Sequence, residues 1–211
     1  MLNLKALAIS ASLGTVSLAG SASAFAPAGD VKVKSIQYNG SGCPLGTVSQ
    51  NISSDKQAFT LTFAEYIAEA GPDFRLSDGR KNCQLTLTLQ VPQGWQFSIG
   101  SFDYRGFLFA DEGMMAEHNT SYYFQGSGFT GRFRERLNGP IYEDYHFREN
   151  VGIESLVWSP CGVERALNVN TAISVRNTNK YDFPYSEAVM GTDSIDGQIR
   201  QVWGISWRRC R

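Results

Sequence analysis

The chain has 211 residues, 42% of them hydrophobic and 18% charged, with a formal charge of −1. That composition excludes a disordered chain, and the near-neutral charge supplies no global drive toward nucleic acid or an anionic membrane. The length predicts one domain, and 21 glycines with 12% aromatic residues suit aromatic-rich strands joined by many turns.

Residues 1–24, MLNLKALAISASLGTVSLAGSASA, read as a secretory signal peptide. Lys5 gives a positive start, an apolar stretch runs from Ala6 to Leu18, and Ala22 and Ala24 place small side chains before a cleavage point after Ala24. The stretch is shorter than the roughly 20 apolar residues of a membrane span and is interrupted by serine, threonine and glycine. No later window suits a span, so no transmembrane segment is expected. Residues 25–211 are then a single secreted β domain, extracellular, or periplasmic in a Gram-negative host. Loss of the leader, which holds one lysine and no acid, takes the formal charge to −2.

The first turn signal is NGSGCP, residues 39–44. Its glycines permit a tight turn and Pro44 fixes the exit, so the turn aims Cys43 at a partner. All four cysteines, Cys43, Cys83, Cys161 and Cys210, lie in the exported part, and an even count in an oxidising compartment predicts two disulfides. Four cysteines allow three pairings, and the sequence does not choose among them. Cys43–Cys83 with Cys161–Cys210 is favoured because each bridge then ties one half of the chain. There is no Cys-x-x-Cys pair and there are only two histidines, His118 and His146. No metal site and no cofactor are expected.

Strand signals follow in order. FTLTF places Phe59, Leu61 and Phe63 on one parity, and CQLTLTLQV does the same for Cys83, Leu85, Leu87, Leu89 and Val91. Between them, FAEYIAEAGP (residues 63–72) is the one candidate helix, stopped by Gly71 and Pro72. In WQFSIGSFDYRGFLF, Trp95, Phe97 and Ile99 share a parity, whereas Phe102 and Tyr104 take the other. A glycine at such a phase change, here Gly100, predicts a bulge or bend. Leu167, Val169, Ile173 and Val175 alternate in LNVNTAISV, as do Trp203, Ile205 and Trp207 in WGISW. The fold class is therefore all-β: an antiparallel β-sandwich, with a β-barrel as the alternative, stapled by two disulfides and holding at most one short helix.

The segments YNGSGCPLGTV, RKNCQLTLTLQVPQGW, DYRG, YYFQG, WSPCG, LNVN, DSIDG and WRRC, in that order, resemble the secreted domain-of-unknown-function family 4360 from about Tyr38 to Cys210. The resemblance implies a small exported protein with four family cysteines and a β-sandwich. It implies no activity and no catalytic residues.

Motifs that carry chemistry elsewhere have plainer readings here. GSGFTG, residues 126–131, has nucleotide-loop spacing, but the following RFRERLNGP offers no helical apolar face, so a glycine-rich hairpin is expected. DSIDG, residues 193–197, reads as a hairpin turn rather than a calcium loop. In DYRG, Asp103 and Arg105 lie two apart on one strand face, suiting an ion pair. Asp103, Tyr104 and Arg105 are nevertheless the candidate ligand-binding residues, since an aromatic between charges suits sugars or peptides. Two basic runs, Arg132/Arg134/Arg136 and Arg208/Arg209/Arg211, suit either a solvated face or an anionic polysaccharide or lipid headgroup. Sequons stand at Asn39, Asn51 and Asn119. No nucleophile elbow or spare cysteine marks a catalytic residue. The favoured function is a non-catalytic secreted binding, surface or interaction protein, with an extracellular glycan or surface component as partner. The alternative is a secreted hydrolase acting on extracellular polysaccharide or cell-wall polymer through carboxylates, for which Glu65, Glu69, Asp103, Asp111, Glu112 and Asp144 are the candidates.

Overall fold

The computed structural model describes residues 31–64, 66–191 and 199–210. The signal-peptide segment, Glu65, the DSIDG turn and Arg211 lie outside the described residues. Twelve strands are described: β1 (Lys32–Asn39), β2 (Val48–Ile52), β3 (Ala58–Phe63), β4 (Ile67–Ala70), β5 (Arg80–Gln90), β6 (Trp95–Ala110), β7 (Met114–Phe124), β8 (Gly131–Asn138), β9 (Ile141–Asn150), β10 (Leu167–Asn177), β11 (Ala188–Gly191) and β12 (Ile199–Arg209). A single 3-10 turn spans Ile153–Ser155.

The strands form two antiparallel sheets and not a closed barrel. One sheet has the order β1-β5-β10-β7-β8 and the other β2-β3-β12-β6-β11-β4, with β9 also on β6. The central β6 is long because three strands share it. β12 pairs with residues 95–105 and β11 with residues 107–110 along one edge, and β9 pairs with residues 101–110 along the other. The alternation read from sequence holds. Leu85, Leu87 and Leu89 of β5, Leu167, Val169, Ile173 and Val175 of β10, and Phe59, Leu61 and Phe63 of β3 are all buried between the sheets. GSGFTG forms the β7–β8 hairpin connection.

The phase change in β6 is a bulge at Gly100. Ser101 pairs with Gly204 and Ile99 with Ile205, leaving Gly100 unmatched. Phe97 and Ile99 before it and Phe102 and Tyr104 after it all reach the core. A Cβ on Gly100 would lie 2.1 Å from Ser206 Oγ, so a side chain there would have to displace the Ser206 hydroxyl. An extra residue switches which parity faces inward, and that lets one strand bury aromatics along its whole length.

The described residues of 63–72 form no helix. Phe63 closes β3, and Ile67–Ala70 form β4, which pairs with Ala188–Gly191 of β11. The eight residues before Gly71 that suggested a helix supply only about two turns, too short to be stable alone. The neighbouring strand instead satisfies the backbone of Ile67–Ala70, and Tyr66 and Ala68 are buried.

Both favoured disulfides are present, Cys43–Cys83 and Cys161–Cys210. The NGSGCP turn is held against β5: Gly42 N–H donates to the Asn82 carbonyl (2.9 Å) and Cys43 N–H to that of Gly40 (3.2 Å). A Cβ on Gly40 would meet the Asn82 carbonyl oxygen at 2.1 Å, and one on Gly42 the Tyr66 ring at 2.2 Å. Only glycine fits at either place. Cys161–Cys210 ties the end of β12 to the 151–166 connection.

A hydrogen-bonded chain crosses between the sheets. Trp203 Nε1 donates to Tyr104 Oη (3.0 Å), and Tyr104 donates to Thr120 Oγ1 (2.9 Å). Thr120 donates to Thr171 Oγ1 (3.2 Å), which lies 3.1 Å from His118 Nε2. His118 is fully buried, its ring 4.2 Å from that of Tyr104 and flanked by Phe133 and Phe147. Burial pushes its pKa down to about 3.

Two predictions follow from these contacts. Bridges separated by 40 and 49 residues stabilise by about 4 kcal/mol each on the chain-entropy account. Cys83→Ser is therefore expected to lower the unfolding midpoint on its own, and reduction to lower it further. A reduced sample that keeps its melting temperature refutes this. The folded state holds His118 neutral while the unfolded chain takes a proton below about pH 6.5. Its contribution is thus complete above that pH and is lost from pH 6.5 down toward 3, on the order of 1.4 kcal/mol per pH unit. Denaturant titrations of wild type and His118→Phe between pH 7 and 4 should differ in slope by about one proton. Parallel slopes exclude His118 as the titrating group.

Candidate functional site

The register of β6 against β9 assembles a strip on the outer face of the second sheet. Asp103 lies opposite Arg148, Arg105 opposite His146, Phe107 opposite Asp144, and Phe109 opposite Tyr142. Side chains two apart on a strand share a face, so these eight positions form two parallel rows. Over seven residues of β6 the strip runs about 20 Å.

One end is ionic. Asp103 Oδ2 accepts hydrogen bonds from Arg148 Nε (2.9 Å) and Nη2 (2.7 Å). Its Oδ1 lies 3.0 Å from His146 Nε2 and 3.5 Å from Arg105 Nε. Partial burial of Asp103 raises its pKa, but the hydrogen bonds from Arg148 and then His146 outweigh burial, and the net value falls below the usual carboxylate range. The carboxylate is an ionised hub for two arginines and His146, whose side chains stay largely exposed.

The other end is aromatic. Phe107 and Phe109 have ring centroids 5.5 Å apart, and Phe109 and Tyr142 are 48% and 61% exposed. Phe107 lies over Gly191, its partner on β11, where a Cβ would meet the ring at 2.5 Å. Tyr142 donates to Asp111, which also accepts from Glu187 N–H (2.8 Å). The Tyr142 bond, and then the Glu187 bond, hold the Asp111 carboxyl below its ordinary value.

The structure divides the three residues singled out in DYRG. Asp103 and Arg105 share the outer face and form the ion pair their spacing suggests. Tyr104 points the other way and is buried in the inter-sheet chain, its phenol pushed up by burial. It cannot meet a ligand together with its two neighbours. His146, Arg148, Phe107, Phe109 and Tyr142 were missed because they join the site through pairing of β6 with β9, which no local spacing reveals. The outward parity of the charged residues in YEDYHFREN was the available signal.

Two arginines of each basic run are engaged, and Arg211 lies outside the described residues. Arg134 and Arg136 contact Glu117 at 3.3 and 2.6 Å. Arg208 lies over the Trp158 ring and Arg209 over that of Trp95, at 4.1 and 4.3 Å. Among the described residues no group of three or more His, Cys, Asp or Glu side chains is arranged to hold a metal ion, and no helix is long and apolar enough to cross a membrane.

The fold and this surface define a disulfide-clamped β-sandwich with a charged and aromatic outer face. The chain belongs to the family described as Domain of unknown function (DUF4360), which matches residues 29–210. A protein of Arthroderma benhamiae named an uncharacterized secreted protein is 37% identical over 180 residues, spanning 85% of this chain and 72% of the relative. Among solved structures, the chain aligns with TmCBM61 in complex with beta-1,4-galactotriose at 8% identity and a TM-score of 0.26, over 84% of this chain and 90% of that one. It also aligns with the CBM22-1–GH10 modules of Clostridium thermocellum xylanase Xyn10B complexed with xylohexaose, at 7% identity and a TM-score of 0.28, over 83% and 28% of the two chains. Scores this low carry no argument about function.

Asp103→Asn is expected to cost about 1 kcal/mol at pH 7, the modest figure reflecting exposed partners. Because the folded pKa is depressed, that difference is present above the ordinary carboxylate value of 3.8 and shrinks as pH falls through the lower folded value. Equal stability of variant and wild type at pH 7 contradicts the hub role.

Proposed function

We propose that this secreted protein is a non-catalytic binding domain that engages an extracellular glycan or surface component through the outer strip of β6 and β9. The observation that carries the reading is the juxtaposition of exposed Phe109 and Tyr142 with the cations around Asp103 on one rigid face. Aromatic faces pack against the apolar sides of sugar rings, and guanidinium groups donate to hydroxyls and carboxylates. Residues held by a sheet and by shared ion pairs lose little freedom on binding, which favours recognition.

The same geometry bears on the hydrolase alternative. A general acid needs a carboxyl with a raised pKa, and a carboxylate pair needs one member protonated. Asp103 and Asp111 are both shifted the other way. His118 is buried in the core and cannot reach a substrate.

Binding and turnover should be measured on one purified sample across a panel of neutral and acidic glycans. Binding without product release, weakened at least fivefold by Tyr142→Ala or Arg105→Ala with the melting temperature kept, is the expected result. Release of product, abolished by substitution of a single Asp or Glu, would overturn it.

A further inference from the structure

Basic side chains without a carboxylate partner also converge at a place that no cluster in the sequence marks. A cleft of about 540 Å³ opens at one end of the sandwich, between the β4–β5 connection (residues 71–79) and the β10–β11 connection (residues 178–187). Arg75, Arg80, Arg176 and Lys180 line it with Phe74 and Pro184, and no Asp or Glu is among its lining residues. Arg75 is paired with Asp78 at 3.0 Å. Among the described residues no carboxylate lies within ion-pairing distance of Arg80, Arg176 or Lys180. The lining residues themselves thus carry four cations and no acid, gathered in a concave site.

The walls are held in place. Glu69 N–H donates to the Asp78 carbonyl and Val175 N–H to that of Gly79, both at 2.9 Å. Across the cleft, Asn177 Nδ2 donates to the Phe183 carbonyl (2.6 Å), and Asn179 Nδ2 to Asp182 (2.9 Å). The same connection carries Tyr181 and Tyr185, which are 95% and 83% exposed beside the lining residues Lys180, Pro184 and Ser186. Two aromatic rings left almost wholly in water have no role in the core. Each is the chain neighbour of a lining residue, and a ring so exposed is available to stack on a flat ligand face.

We propose that this cleft binds a carboxylate-bearing oligosaccharide, a segment of an acidic extracellular polysaccharide. The cations recognise the carboxylates, and Tyr181 and Tyr185 cover the apolar faces of the sugar rings. The volume falls in the range of ligand pockets. A phosphate or lipid headgroup shares the negative charge but gives the tyrosines no ring to cover. The proposal supplies a ligand class for the binding reading above but stands on a different surface, so the two can fail separately.

The test is calorimetric titration of the full exported protein with oligogalacturonate, mannuronate and hyaluronan oligosaccharides. The methyl ester of oligogalacturonate, inorganic phosphate, and vesicles of phosphatidylserine with phosphatidylcholine are the comparison probes. At least one acidic oligosaccharide should bind, and the ester at least tenfold more weakly. Arg80→Gln with Lys180→Gln should weaken binding at least tenfold and Tyr181→Ala several-fold, at unchanged melting temperature. Lys180→Gln alone lies on an exposed connection and guards against a folding defect at Arg80. Arg132→Gln, at an exposed position of β8 and outside the cleft lining, should leave this binding intact. No binding by any acidic oligosaccharide, equal binding of the ester, or tighter binding to vesicles or phosphate overturns the proposal. Binding lost in Arg105→Ala and Tyr142→Ala but kept in the cleft variants also overturns it, while leaving the outer strip as the site.

Discussion

One unmatched residue in β6 sets the sidedness of this protein. Without the bulge at Gly100, strict alternation from Phe97 and Ile99 would turn Phe102 and Tyr104 to solvent and Asp103 and Arg105 to the core. Burying that acid and that arginine would cost several kcal/mol each unless paired. The bulge keeps aromatics inward on both sides of it. In doing so it delivers Tyr104 to the hydrogen-bonded chain between the sheets and Asp103 to the outer strip. Core and surface therefore depend on the same backbone irregularity.

The sandwich divides the tasks of its parts. Its interior is aromatic and aliphatic, crossed by one chain of hydroxyls ending at a buried histidine. A buried polar chain of this kind stabilises only when its members find partners, and it opposes slippage of one sheet over the other. One bridge, buried in the core, holds the turn at Cys43 to β5, and the other ties the end of β12 to the 151–166 connection. That leaves the outer face of β6 and β9, and the end connections, free to carry chemistry. A rigid scaffold presenting its functional groups on one face and on loops is the usual arrangement for recognition.

The charges illustrate how sequence proximity and spatial proximity part company. Arginines spaced two apart on β8 look like a basic patch but meet Glu117 on the neighbouring strand. The pair near the end of β12 stacks on tryptophans. Arg75, Arg80, Arg176 and Lys180, spread over about a hundred residues, converge because two connections come together at one end of the sheets.

The sequence alone was sufficient for the all-β class, the inward residues of β3, β5, β10 and β12, the phase change at Gly100, the glycine-dependent turn at Cys43 and the presence of two disulfides, whose pairing the structure decided. Each of these follows from a local rule: period-two alternation, steric limits at a turn, and export with an even cysteine count. Only the tertiary structure decided that residues 67–70 form a strand, because a partner strand outweighs the propensity of a short segment. It also separated Tyr104 from Asp103 and Arg105 and brought His146, Arg148, Phe109 and Tyr142 beside them. Those assignments rest on which strand pairs with which and in what register. Register is set by burial of the whole sheet, and no short stretch of residues encodes it.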